Sequence, residues 1–333
     1  MKAVGKAASA ALESGTRFLL ANQGRDGLWR DFLTPAGEAS EWTTGFVAAA
    51  LHLAGAETSA LAPAAEALAA GQHEDGGWGY NATVPSDADS TACVLLFLAR
   101  MGNHPGPCRR AASCLLRHQR AETGGVATYD EPGPIRRFMG VGRWMRFKGW
   151  CSPQVEVTAT AGSALAALSP AHPAVAAAWR YVRSRQRGDG SWSSYWWTSA
   201  HYGTLQAVEL ALALNELEPV SRAADWAMRS QGADGGWGAP GACPSAFATA
   251  LSLSILSCAG VRGRPVQRAI STLVALQEDD GGWSSHPIMR IPLPGDAAPD
   301  RWRPVRLGGV VVQDEHRSFT SAACVAALSR CNN

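Results

Sequence analysis

Apolar residues recur along this chain in Ala/Leu-rich runs at helical spacing, and short polar turns built on Asp-Gly interrupt them at near-even intervals. The turns share one signature. Gln23, Gly27 and Trp29 recur as Gln72, Gly76 and Trp78, then as Gln186, Gly190 and Trp192. Two further copies are Gln231, Gly235, Trp237 and Gln277, Gly281, Trp283. A decayed copy follows Gln119, where Gly124-Gly125-Val126 has lost its Trp, and the interval from Gln119 to Gln186 is the stretched one. A helix-like run precedes each Gln, and a second begins some way after each Trp. The Asp-Gly pair stops the first, because Gly accepts the left-handed backbone of a helix end. The second helices carry a recurrent Thr in their first turns: Thr44, Thr91, Thr160, Thr204, Thr249 and Thr320. The pattern therefore predicts twelve helices in six pairs. A pair this short cannot bury its apolar faces alone, so neighbours must stack. The period does not say whether the stack closes.

Composition agrees with packed helices: 46% of residues are hydrophobic and 17% charged, with abundant Ala and Gly and few β-branched residues. A net charge of +2 gives no reason to expect nucleic acid. The eight cysteines include no C-x-x-C pair and several sit in apolar helical runs, which reads as reduced thiols rather than a disulfide or zinc framework. The first twenty residues are amphipathic, carry Glu13 and Arg17, and lack a signal-peptide core. No apolar run is long enough for a bilayer, so a cytoplasmic protein is expected.

The Q-x3-G-x-W repeat resembles the QW motif of squalene-hopene cyclases, oxidosqualene cyclases and class II diterpene cyclases, and is similar to repeats in protein prenyltransferase β subunits. That resemblance implies closure into an (α/α)6 barrel with six inner and six outer helices, spanning residues 1–333 as a single domain. By the same analogy the inner helices begin near Glu41, Asp87, Gln154, Ser199, Pro244 and His316, and the outer ones end at the six Gln residues. Two turns are enlarged into lid-like insertions, at about 127–153 and 284–315, both at one mouth of the barrel.

The segment Asp87-Ala88-Asp89-Ser90-Thr91-Ala92 is similar to the D-x-D-D-T-A motif of squalene-hopene and class II diterpene cyclases. The resemblance implies that Asp89 matches the middle Asp, the acid that protonates a terminal alkene or epoxide. Ser90 replaces the third Asp, and Asp89-Ser90-Thr91-Ala92 equally resembles the D-C-T-A of oxidosqualene cyclases. Chemically, such an acid must stay neutral until used, which a dry pocket and a neighbouring carboxylate such as Asp87 both favour. The cation formed then needs π faces around it, and Trp42, Phe46, Trp196, Trp197, Tyr202, Phe247 and Phe319 stand near inner-helix starts. The structural alternative is a capping box, Ser86-x-x-Asp89.

Counting back from each recurrent Thr puts Glu41, Asp87, Glu156, His201, Ser245 and His316 within one turn, as caps or as site residues. Glu156 and His201 are candidates to join Asp87 and Asp89 in catalysis, with Glu41, Ser90 and His316 beside the aromatics as substrate contacts. The zinc site of prenyltransferase β subunits needs an Asp-x-Cys pair, which this sequence lacks, and Phe319 stands where their His is expected. Neither metal nor cofactor is called for. The known class II cyclases place their cavity between two barrels. Here either a partner, as a second subunit or homodimer, closes the site, or the two enlarged turns do. Arg136, Arg137, Arg143, Arg146 and Lys148, interleaved with apolar residues, suit a lid, a diphosphate clamp or a membrane-surface contact. Arg290, Arg301, Arg303 and Arg306 would extend a positive rim. The expected activity is an acid-initiated cyclisation of an apolar or prenyl substrate. The alternatives are a degenerate barrel that only binds such a molecule, and an acid-catalysed cyclase of a non-terpenoid.

Overall fold

The computed structural model describes residues 2–238, 243–297 and 309–332. Six helices form an inner ring: α2 (Glu41–Leu53), α4 (Ala88–Met101), α7 (Val155–Leu168), α9 (His201–Ala213), α11 (Ala246–Cys258) and α13 (Ser318–Asn332). Six lie outside them: α1 (Lys2–Ala21), α3 (Thr58–Ala70), α5 (Pro105–His118), α8 (Pro173–Arg183), α10 (Leu217–Ser230) and α12 (Arg264–Ala275). Each inner helix packs on the next and α13 returns to α2, so the ring closes. The inner helices are buried nearly all round and read as apolar on every face, while the outer ones are amphipathic. Small residues let the inner helices approach: a Cβ on Gly45 would lie 2.8 Å from the Val94 backbone nitrogen.

The repeat signature is a set of tethers. In each copy the Gln side-chain amide donates to the carbonyl of the turn Gly, as Gln72 does to Gly76 at 2.7 Å, where Gly76 adopts φ +85. Four of the six also donate to the first turn of the next outer helix, and the last, Gln277, reaches Ala11 midway along α1 at 2.9 Å and closes the ring. Each signature Trp is buried and its indole N–H donates to the last turn of the preceding outer helix, as Trp78 does to Leu68 at 2.8 Å.

The Trp backbone N–H in turn donates to the recurrent hydroxyl: Thr44, Thr91, Thr204 and Thr249 accept from Trp29, Trp78, Trp192 and Trp237. In two repeats the register differs from the sequence reading. Thr158, not Thr160, accepts from Val126 at 2.8 Å, and Ser321, not Thr320, accepts from Trp283 at 3.1 Å. Thr160 instead bonds Gln206, and Thr320 bonds Asp314.

The two enlarged turns meet over the end where the inner helices begin. The first holds a short helix, α6 (Pro132–Phe138), absent from the sequence expectation. The second pairs β3 (Met289–Ile291) with β4 (Val310–Val312). A third cover is the hairpin of β1 (Asp31–Thr34) and β2 (Gly37–Ala39). Gly149 N–H donates to Pro294 at 2.8 Å and the Trp150 indole to Pro292 at 3.1 Å, joining the covers.

Candidate active site

Beneath these covers lies a cavity of about 540 Å³, within the usual range for a small-molecule site, roughly 300–1,000 Å³. Its wall is mostly apolar and aromatic, with Trp42, Tyr80, Tyr129, Trp150, Trp196 and Trp197 prominent. Asp87, Asp89, Ser90, Thr34 and Thr128 bring its polar groups, and no Arg or Lys lines it among the described residues.

The α4 N-terminus places the two acids. Asp87 is the cap: its carboxylate accepts from the Ser90 backbone N–H at 2.8 Å and from the Ser90 hydroxyl at 2.7 Å. The Ser86 side chain instead bonds Asp75 and His73, so no capping box forms through Asp89. Asp89 is buried in the cavity wall, and its Oδ1 has no hydrogen-bond partner among the described residues. Burial drives its carboxyl well above the ordinary 3.8, and the charges of Asp87 and Glu156 add to the effect. Burial also raises Asp87, to about 6, against the bonds from Ser90 that lower it. Asp89 has no such donors, so the proton rests there first.

With the register set by Thr158 and Ser321, the residue two before each tethering hydroxyl is Trp42, Asp89, Glu156, Tyr202, Phe247 or Phe319. All six are buried at one level of the barrel. Glu156 thus stands on α7 where Asp89 stands on α4. Its Oε1 accepts the backbone N–H groups of Tyr195 at 2.5 Å and Trp196 at 2.8 Å, and its Oε2 is buried without a partner among the described residues. Trp197 is stacked over the aromatic part of this level, 4.1 Å from Tyr202, 5.2 Å from Phe247 and 5.3 Å from Phe319 between ring centroids. Tyr202, Phe247 and Phe319 therefore lie beneath Trp197 rather than on the main cavity wall. Tyr202 and Phe46 line a second, smaller cavity of about 80 Å³ farther along the axis.

Three other candidates lie elsewhere. His201 packs on Trp226 with ring centroids 5.0 Å apart and bonds Ser199; burial lowers its pKa to about 4. His316 is exposed and pairs with Glu38 at 2.8 Å. Glu41 is buried, accepting from the Ser40 hydroxyl at 2.5 Å. None of the three lines the main cavity. Nor is Arg290 on a rim: it is buried and donates to the carbonyls of Tyr195 and Ser194. Arg301, Arg303 and Arg306 fall outside the described residues.

Several functional-looking residues were not singled out from sequence. Tyr80 stacks on Trp42 at 6.2 Å, and Trp150 and Tyr129 line the roof at 5.9 Å from each other. Asp31 accepts from the N–H groups of His316 and Ser318 at 2.9 and 2.8 Å, locking the first hairpin to α13. Its donors are 285 and 287 residues away in sequence, so no local signal marks it.

A twelve-helix double ring, its mouth covering an apolar chamber with one unpartnered carboxyl, is the architecture of the terpene cyclase barrel. The profile of the squalene-hopene cyclase C-terminal domain matches residues 74–296, and the chain belongs to that family. A drimenyl diphosphate synthase of Streptomyces showdoensis is 33% identical over 266 residues, covering 76% of this chain and 46% of that protein. A squalene–hopene cyclase of Bradyrhizobium diazoefficiens is 29% identical over 235 residues, 62% of this chain and 36% of that protein. The chain thus spans half or less of these relatives. Among solved structures, a form of the type II terpene cyclase MstE from Scytonema, bound to its substrate geranylgeranyl dihydroxybenzoate, superposes with a TM-score of 0.90. It is 26% identical, with 100% of this chain and 99% of that one covered. Another form, bound to its product merosterolic acid A, gives 0.87 at 27% identity.

Proposed function

We propose that this chain is a type II terpene cyclase in which Asp89 starts the reaction. The single observation that carries the reading is Asp89 itself: a carboxyl kept neutral by burial, unbonded at Oδ1, in the wall of an apolar aromatic chamber. Its O–H proton passes to the less substituted carbon of the last prenyl alkene, forming a C–H bond with the π electrons and leaving a tertiary cation. Internal alkenes attack in turn, and loss of a proton from a carbon beside the last cation returns an alkene. The Asp89 carboxylate then regains a proton from water. Trp42, Trp196, Trp197, Tyr80 and Trp150 offer π faces to the moving charge. Ser90, in place of a third acid, holds Asp87 rather than the proton.

The substrate is a prenyl chain. Its tail enters the chamber and its head group stays toward the mouth, where the described lining has no cation. Exposed Phe138, Met139, Leu293 and Val310 at that mouth suit uptake of an apolar chain from a membrane surface or a carrier. All eight cysteines are free, in keeping with a reducing cytoplasm. The described parts of the enlarged turns cover the chamber, Ile135, Trp150, Met289 and Pro292 among them. The test incubates the protein with a prenyl diphosphate and with a prenylated hydroxybenzoate, and analyses extracts by gas chromatography–mass spectrometry. Cyclic isomers should form from one of them, and Asp89→Asn should abolish them, since general acid steps contribute about 10²–10⁴-fold. Binding of both without turnover by the native protein would leave only a degenerate barrel.

A further inference from the structure

The barrel brings two carboxyls to one level on adjacent helices, and only one of them opens on the main cavity. Glu156 is placed by the same tether as Asp89: Thr158 accepts from Val126 on α7 as Thr91 accepts from Trp78 on α4. It is fully buried, yet two backbone N–H groups converge on its Oε1. Burial raises its carboxyl above the ordinary value, but the two N–H donors and the charge of Arg290 oppose that rise and favour the carboxylate. Asp89 has neither aid.

We propose that Glu156 is the positioning residue of the acid, a fixed negative charge beside Asp89 that keeps the transferable proton on Asp89 and faces the cation once that proton has left. This rests on the reading of Asp89 as the proton donor. Glu156 does not line the main cavity, so it acts through Asp89 and through the field rather than by touching substrate. Two carboxyls side by side cannot both ionise cheaply, so environments that separate their proton affinities assign their roles. Here the backbone amides of Tyr195 and Trp196 make that assignment. When Asp89 gives up its proton, the pair becomes two carboxylates beside one carbocation, an arrangement that favours the charge-separated state and then draws a proton back to Asp89 for the next turnover.

The groups facing Asp89 can be named element by element. α4 itself brings Asp87 and the thiol of Cys93 one turn on, α7 brings Glu156, and α9 brings the Tyr202 phenol. Burial pushes Cys93 and Tyr202 well up, so both stay neutral and Asp87 and Glu156 are the charges that matter.

The experiment is a pH titration of the protonated-carboxyl stretch by infrared difference spectroscopy on the substrate-free protein, with the band assigned by its loss in Asp89→Asn. In Glu156→Gln the side-chain oxygen still accepts both backbone N–H groups, so the fold survives and only the charge is lost. The Asp89 midpoint should then fall by about one pH unit or more, the alkaline limb of cyclisation should move with it, and the acidic plateau should drop because the charge facing the cation is gone. Glu156→Asp, which retains a charge, should recover part of the shift. An unmoved midpoint in Glu156→Gln would overturn the proposal. Absence of cyclisation by the native protein with a clear infrared shift would fault the enzymatic reading instead.

Discussion

Replacing Asp89 by Asn should silence the protein and, near neutral pH, make it harder to unfold. The carboxyl sits well above 3.8 in the folded chain because burial and two neighbouring acids disfavour its charge. In the unfolded chain it titrates near the ordinary value. Above that value the unfolded chain releases the proton while the folded chain retains it. Stability therefore falls as pH rises, by about 1.4 kcal/mol per unit, until the folded value is passed. Asn has no such linkage. Above pH 4 the variant should gain steadily on the native protein until the folded value is passed, with roughly 1.5 °C of melting temperature per kcal/mol for a chain this long. An extra buried amide N–H costs the variant about 1–3 kcal/mol, but that offset does not depend on pH, so the slope is diagnostic. No capping bond is lost, since Asp87 caps α4. Calorimetric melts at pH 4, 5.5 and 7 measure the slope, and product formation measures the chemistry. A gap that stays constant across that range, or a variant that turns over normally, would refute the reasoning.

Three further outcomes test the frame around the acid. Gln277→Ala removes bonds to both Gly281 and Ala11 across the ring seam, whereas the Gln23 amide donates to Gly27 alone among the described residues. By denaturant unfolding, Gln277→Ala should cost about 1–3 kcal/mol and Gln23→Ala less. Trp197→Ala empties the floor between the two cavities and should cost about 3–5 kcal/mol, with a broadened product profile by mass spectrometry. In Gly149→Ala the new Cβ overlaps the Asp296 carbonyl oxygen and the Tyr195 hydroxyl, wedging the two covers apart. Far-UV circular dichroism should stay native while KM rises and kcat/KM drops.

The architecture was legible in the sequence because the tethers are side chains with one job each. Gln, Gly and Trp recur at fixed offsets, so helix starts at Glu41, Ala88 and Val155 fall within a residue of expectation. Closure was not legible from the period and rested on likeness; in the fold it depends on α13 meeting α2 and on Gln277 reaching Ala11. The site was legible as far as the D-x-D motif reached. Beyond it, two threonines near one helix start offered alternative registers, and only the Val126 hydrogen bond selects Thr158. That choice brings Glu156 level with Asp89. His201 illustrates the opposite failure: a polar residue one position from the inward-facing Tyr202 turns to the outer layer, toward Trp226. Arg290 looked like rim charge because nothing local reveals that its guanidinium binds backbone carbonyls of Ser194 and Tyr195, about a hundred residues away in sequence.

The tethers all sit at one end of the barrel, and this has a consequence for how the molecule breathes. At the opposite end the connections between inner and outer helices, such as 102–104 and 214–216, are short turns without such bonds. Amide hydrogen exchange should accordingly be graded along the axis: slow at Trp78, Trp192 and Trp237, whose N–H groups are buried against threonine hydroxyls, and fast around Gly102 and Asn215. Local opening then belongs to the end away from the acid. Traffic through the tethered end falls to the covering segments alone, so their opening rate, rather than any loosening of the ring, sets the pace of entry and exit.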